Sequence, residues 1–164
     1  MDSIDKFNKL SKTEFISIFG NIFEKTEWIA ERCYESKPYN NLDDLVSKMM
    51  KIFENSEKEK HLEILNSHPD LAVEKRLTEN SKNEQKNASL NQCNDKEFLE
   101  FKNLNEEYKK KFGFPFIIAV KGKNKEEILN SFRQRITNNI NLEFEEAKKQ
   151  VKKIASFRLS EIIK

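Results

Sequence analysis

Asn41-Leu42-Asp43-Asp44-Leu45-Val46-Ser47-Lys48-Met49-Met50-Lys51-Ile52-Phe53 decides the fold class. Asn41 can accept a hydrogen bond from an orphan backbone N–H, and Asp44, three residues on, lies at the positive end of the helix that would follow. Leu42, Leu45, Val46, Met49, Met50 and Phe53 then recur at spacings of three and four, which lines one face of a helix. The same start signal appears at Ser11-Lys12-Thr13-Glu14, Ser56-Glu57-Lys58-Glu59 and Asn124-Lys125-Glu126-Glu127. Further stripes run through Phe98, Phe101, Leu104, Asn105, Tyr108 and Phe112, and through Phe144, Ala147, Val151, Ile154, Ala155, Arg158 and Ile162. Glycine and proline occur only three times each, so few residues interrupt this pattern. The expectation is an all-α, single-domain bundle of about eight helices over 11–19, 21–34, 42–54, 57–66, 81–89, 95–111, 124–137 and 140–163. No repeat, linker or domain boundary interrupts residues 1–164.

Composition narrows the function. The 30 basic residues nearly cancel the 28 acidic ones, leaving a net charge of +2. Lysines alternate with glutamates, as on a solvated helix surface, and no clustered basic face suggests nucleic acid. No apolar run reaches the roughly 18 residues of a membrane span. The N-terminal residues lack a signal-peptide pattern, and the last residues are not a peroxisomal address, so a cytoplasmic protein is expected. Cys33 and Cys93 are too far apart to form a CxxC or zinc pattern and read as free thiols. His61 and His68 lie seven residues apart, but no third ligand stands at zinc spacing, so no metal is expected.

Two segments break the helical pattern. One runs from His68 to Asn80; the other is Gly113-Phe114-Pro115-Phe116-Ile117-Ile118-Ala119-Val120. Proline disfavours helical geometry in the preceding residue, so His68, before Pro69, should mark a helix end. Imidazole there could bond a nearby carbonyl or titrate at a site. Buried non-helical backbone needs partners, and a polar ligand or neighbouring side chains and water could supply them. Ser81 and Glu84 make a capping-box pair, and Glu84-Gln85 puts a carboxylate beside an amide that both donates and accepts. Arg158 lies among apolar residues, either paired with a core-edge carboxylate or presenting its fork of donors to a ligand.

Several pieces, in order, carry a resemblance. They are Trp28-Ile29-Ala30-Glu31, Lys37-Pro38-Tyr39 before Leu42, His68-Pro69-Asp70-Leu71-Ala72, and Ser81 to Leu90 read as S-x-x-E-Q-x-x-A-S-L. Asn105-x-x-Tyr108 follows, then Phe112-Gly113-Phe114-Pro115-Phe116-Ile117, Arg135, Glu143 and Arg158-Leu159. The chain resembles the 2-oxo-4-hydroxy-4-carboxy-5-ureidoimidazoline (OHCU) decarboxylases over nearly its whole length. Ser89 stands where the family usually has glycine, and Lys37-Pro38-Tyr39 replaces the commoner Arg-Pro-Phe.

The resemblance implies a carboxy-lyase that converts the ureidoimidazoline to S-allantoin in urate breakdown. It implies His68 and Glu84 as the catalytic pair, with Arg158 also required. Pro69, the stretch Ser81, Lys82, Asn83 and Gln85, and the backbone of Phe116, Ile117, Ile118, Ala119 and Val120 would contact substrate. A homodimer is likewise implied. The carbon that loses carbon dioxide neighbours a ring imine that can take up the electron pair, so no cofactor is expected. A non-enzymatic helical interaction module, or a relative acting on another ureido-imidazole, would fit the helices equally well.

Overall fold

The computed structural model describes residues 3–72, 79–88, 90 and 93–163, and these contain nine helices and no strand. They are α1 (Ser3–Asn8), α2 (Lys12–Phe19), α3 (Glu27–Glu35), α4 (Leu42–Glu54), α5 (Lys58–Asn66), α6 (Glu79–Asn87), α7 (Asp95–Phe112), α8 (Lys125–Arg135) and α9 (Ile140–Ile162). The all-α expectation is met. Among the described residues, no helix is long and apolar enough to cross a membrane. Two compact units emerge: Met1–Ser67 with Lys152–Lys164, and His68–Val151.

In the first unit the expected stripe on α4 buries Leu45, Met49 and Phe53. Asn41 caps this helix by accepting from the Asp44 N–H at 2.8 Å. Ser11 and Glu14 form a complete capping box on α2. Ser56 does not cap α5: that position belongs to Glu57, and the Ser56 hydroxyl instead donates back to the Ile52 carbonyl at 2.7 Å. The helix expected from residue 21 begins only at Glu27, because Lys25 adopts a left-handed φ of 51°, outside helical geometry. The short α1 has no long stripe to announce it. Phe7 packs on Phe19 with ring centroids 5.3 Å apart, and Asn8 exchanges two hydrogen bonds with the Tyr39 backbone, at 2.8 and 3.0 Å.

In the second unit Asn94 and Glu97 form a capping box on α7, which ends at Gly113 with φ 80°. A left-handed C-terminal residue favours glycine, and Pro115 then prevents the helix from resuming. The buried stripe of α7 starts at Phe101, Asn105, Tyr108 and Phe112; Phe98, expected on it, is 40% exposed. Residues 113–124 are non-helical, and Phe114 through Val120 are buried. Their rings fix the run in place. Phe116 stacks on Phe132 of α8 at 3.9 Å between centroids, and Tyr108 meets Phe114 and Phe116 edge-on.

Phe132→Ala removes the ring beneath the non-helical run. A loss of about 3–5 kcal/mol is expected from transfer and cavity terms together, measured as a lower midpoint of urea unfolding.

Candidate active site

His68 stands two residues beyond the end of α5, as the proline rule requires, and is nearly buried at 9% exposure. Pro69 and Asp70 continue outside helical geometry, and Leu71 and Ala72 bend. Ala72 takes a left-handed φ of 54°, a conformation that costs a residue with a Cβ about 1–3 kcal/mol. Three side chains hold this bend. The Gln85 carbonyl accepts from the Ala72 N–H at 3.1 Å, and its amide nitrogen donates to the Asp70 carbonyl at 3.3 Å. Asn105 of α7 donates to the Leu71 carbonyl at 3.0 Å. Lys109, one turn further along α7, pairs with the Asp70 carboxylate at 2.7 Å. The backbone that follows His68-Pro69 is therefore tied to α6 and α7.

Helix α6 begins at Glu79, two residues before the expected start, so Ser81 lies in its first turn and not at the capping position. The remainder of the expected irregular stretch, 73–78, and Ser89 lie outside the described residues. Ser81 and Gln85 share the buried face of α6, Ala88 is buried just beyond its end, Glu84 is half-buried, and Lys82 and Asn83 are exposed. This arrangement follows from helical spacing of three and four residues. Gln85 was expected to read a ligand; one hydrogen-bonding direction of each amide end already goes to the bend. A primary amide retains one further N–H and one further lone pair.

The second irregular segment is held from α8 and α9. Arg135 donates through Nη1 to the Ile117 carbonyl at 2.7 Å and through Nε to Glu143 Oε1 at 2.9 Å. Its guanidinium lies 4.5 Å from the centre of the Phe116 ring. Glu143, fully buried, also accepts from the Tyr108 hydroxyl at 2.6 Å and from Asn138 at 3.0 Å. Burial, and then the Glu143 hydrogen bond, push the Tyr108 phenol well above its ordinary pKa. The Ala119 N–H donates to Gln150 Oε1 at 2.9 Å. Side chains thus satisfy part of this buried backbone, one of the alternatives left open by sequence. Among the described residues no protein group bonds the Ile118 N–H or C=O. Asn105 Oδ1 and Arg135 Nη2 are buried without a hydrogen-bond partner among those residues.

Arg158 belongs to the first unit, where Nη2 pairs with Glu24 at 2.8 Å and Nη1 donates to the Asn21 carbonyl at 2.8 Å. Both residues are buried, so the carboxylate-paired reading of Arg158 describes these contacts. His61 is also in the first unit, with Nε2 2.7 Å from the Phe53 carbonyl. No cluster of three potential metal ligands occurs among the described residues. Cys33 and Cys93 are both free. Burial raises the Cys33 thiol pKa, which disfavours the nucleophilic thiolate.

Residues 8–160 match the family model described as OHCU decarboxylase. The chain belongs to the OHCU decarboxylase family. It is 36% identical to the 2-oxo-4-hydroxy-4-carboxy-5-ureidoimidazoline decarboxylase of Haloferax volcanii, over 97% of this chain and 95% of that protein. It is 40% identical to a uric acid degradation bifunctional protein of Bacillus sp. strain TB-90, covering all of this chain but 33% of that one. The chain therefore spans about a third of that bifunctional relative. A solved OHCU decarboxylase, crystallised in the presence of (S)-allantoin, superposes with a TM-score of 0.70 at 26% identity, over 83% of this chain and 90% of that one. An (S)-allantoin synthase gives 0.80 at 28% identity, over all of this chain and 54% of that one.

The polar residues beneath the irregular segments escaped functional assignment from sequence. Asn105, Tyr108, Arg135 and Glu143 stand at matched positions without an assigned role, and Lys109 and Gln150 belong to no matched motif; in the first unit the same holds for Glu24. A polar residue recurring on an apolar helical stripe is the feature that could have marked Asn105 and Gln150.

Glu143→Gln strands the buried Arg135 charge and should cost about 3–5 kcal/mol. Tyr108→Phe, which removes one hydrogen bond to a charged acceptor, should cost about 1.5–3 kcal/mol. Urea unfolding of both variants checks the order. Iodoacetamide at mildly alkaline pH should label the half-buried Cys93 first and Cys33 only as the protein unfolds, as peptide mass mapping would report.

Proposed function

We propose that residues 1–164 act as one OHCU decarboxylase-like domain, converting 2-oxo-4-hydroxy-4-carboxy-5-ureidoimidazoline to S-allantoin without a cofactor. The observation that carries this reading is the tie between two of the motifs that carry the resemblance. Gln85, next to Glu84, bonds the Asp70–Ala72 backbone that directly follows His68-Pro69. The family match over residues 8–160 supports the same reading.

The proposed chemistry needs little covalent participation by the protein. The bond between the ring carbon and its carboxylate breaks, carbon dioxide leaves, and the electron pair moves toward the adjacent imine. The hydroxyl-bearing carbon becomes a carbonyl as its hydroxyl loses a proton. The ring nitrogen of the former imine and the carbon carrying the ureido group each gain one proton, the latter on one face only. His68 handles the hydroxyl proton and its relay, while Glu84 orients the imidazole or the substrate. Positioned proton transfer of this kind contributes about 10²–10⁴-fold. Pro69, Ser81, Lys82, Asn83 and Gln85 contact the substrate; the exposed side chains of Lys82 and Asn83 favour contact through their backbone. The run Phe116, Ile117, Ile118, Ala119 and Val120 offers backbone donors to ring oxygens, in the manner of an oxyanion site. Arg158, already held by Glu24, supplies a fixed positive charge. A homodimer working in the cytoplasm completes the proposal and rests on the family resemblance and the sequence pattern.

Urate oxidase and hydroxyisourate hydrolase can generate the unstable substrate from urate in the cuvette. Adding this protein should produce a dextrorotatory allantoin signal in circular dichroism faster than spontaneous decay. His68→Ala and Glu84→Gln should lower that rate by about 10²-fold or more. A folded wild-type protein that leaves the spontaneous rate unchanged would refute the assignment.

A further inference from the structure

We infer that Gln150 and Arg135 are positioning residues: they fix the Ile117–Ala119 backbone that contacts substrate. This deepens the proposed function and rests on it for the identity of the ligand. The segment is buried and, among the described residues, lies in no strand, so no sheet ladder holds it. Its position depends on side chains two residues apart along the run. Arg135 Nη1 donates to the Ile117 carbonyl at 2.7 Å, and Gln150 Oε1 accepts from the Ala119 N–H at 2.9 Å.

Each of these side chains is itself held. Arg135 is set by Glu143, which Tyr108 and Asn138 hold in turn, and by the face of Phe116. Gln150 donates to Glu146 Oε1 at 2.9 Å, one turn earlier on α9. Both side chains are buried, so solvent does not readily replace either bond. The polar groups of Ile118, between the two fixed points, have no protein partner among the described residues. Fixing the neighbours on both sides sets the direction of the Ile118 N–H and C=O without using them. Donors held in this way contact the bound substrate and the transition state alike, so their loss falls mainly on KM.

Gln150→Met removes the acceptor while keeping a side chain of similar length. Gln150→Glu retains an acceptor oxygen for the Ala119 N–H. Each variant and the wild type would be followed in the coupled assay and by amide hydrogen exchange. For Gln150→Met the expected result is a KM raised roughly tenfold, the equivalent of one lost contact, with kcat changed far less. Faster exchange should be confined to Ile117–Val120. Gln150→Glu should return KM most of the way to the wild-type value. If the wild type is active and Gln150→Met keeps its KM and its exchange pattern, the inference is overturned. It is overturned equally if the variant merely melts earlier, with exchange raised throughout the fold and no rescue by glutamate. If the wild type itself is inactive, the proposed reaction fails separately; faster exchange at Ile117–Val120 alone then upholds the backbone restraint, and unchanged exchange overturns that too.

Discussion

Buried backbone without a helix to satisfy it is the constraint on which the second unit is built. Phe114 through Val120 lie inside the protein, where an unpaired N–H or C=O costs about as much as a lost hydrogen bond. An all-helical protein has no sheet to solve this. The solution here is a set of buried polar side chains on α7, α8 and α9. Glu143 is their hub, receiving Tyr108, Arg135 and Asn138. A buried carboxylate is tolerated only when its charge and lone pairs are matched, and three donors from different parts of the chain meet that condition. The aromatic contacts around Phe116 and Phe132 add packing, but the hydrogen bonds set the direction of the backbone.

The bend after His68-Pro69 follows the same logic on a smaller scale. Ala72 holds an unfavourable left-handed conformation, and its N–H and the carbonyls of Asp70 and Leu71 are taken by Gln85 and Asn105. Strain of this kind persists where surrounding contacts over-determine the geometry. Asn105 and Tyr108 stand one turn apart on α7, so a single helix face reaches both the bend and the Glu143 hub. That common origin explains why the spacing Asn105-x-x-Tyr108 matters as a unit, although neither side chain was expected to touch a ligand.

The helices were legible because their signals are local. Caps at Ser11, Asn41 and Asn124 act within three residues, and the stripes repeat every three or four. Failures occurred where a local signal met a competing partner. Ser56 turned back to Ile52, and Lys25 broke the expected start of α3. Ser81, read as a cap, lies inside α6 because the chain enters the helix earlier. Two of the departures from the family pattern, Lys37 and Tyr39, also make local contacts. The hydroxyl that Tyr39 carries in place of the commoner phenylalanine donates to the Cys33 carbonyl at 2.6 Å, and Lys37 donates to the Leu10 carbonyl at 3.3 Å. Motif residues such as His68 and Glu84 could be named from sequence. The clamps could not, since Arg135–Ile117 and Gln150–Ala119 join residues 18 and 31 positions apart, and no short-range pattern encodes such pairs.

Helix α9 shows how much specification a single stripe can carry. Glu143, Gln150 and Arg158 recur at seven and eight residues, near two helical turns each, among the buried Ala147, Val151, Ala155 and Leu159. An apolar stripe alone could settle with a shifted register, because hydrophobic burial is not directional. The polar members remove that freedom. Glu143 must reach Tyr108 and Arg135, Gln150 must reach Ala119, and Arg158 must reach Glu24 and Asn21. A rotation or a one-turn slip of α9 would bury these groups unpaired, at about 1–3 kcal/mol for a neutral group and more for a charged one. The polar positions therefore reduce the number of ways the helix can pack, while the apolar positions provide the drive to pack at all. On this argument the residues that hold the buried non-helical backbone are as constrained by chemistry as the residues proposed to contact substrate.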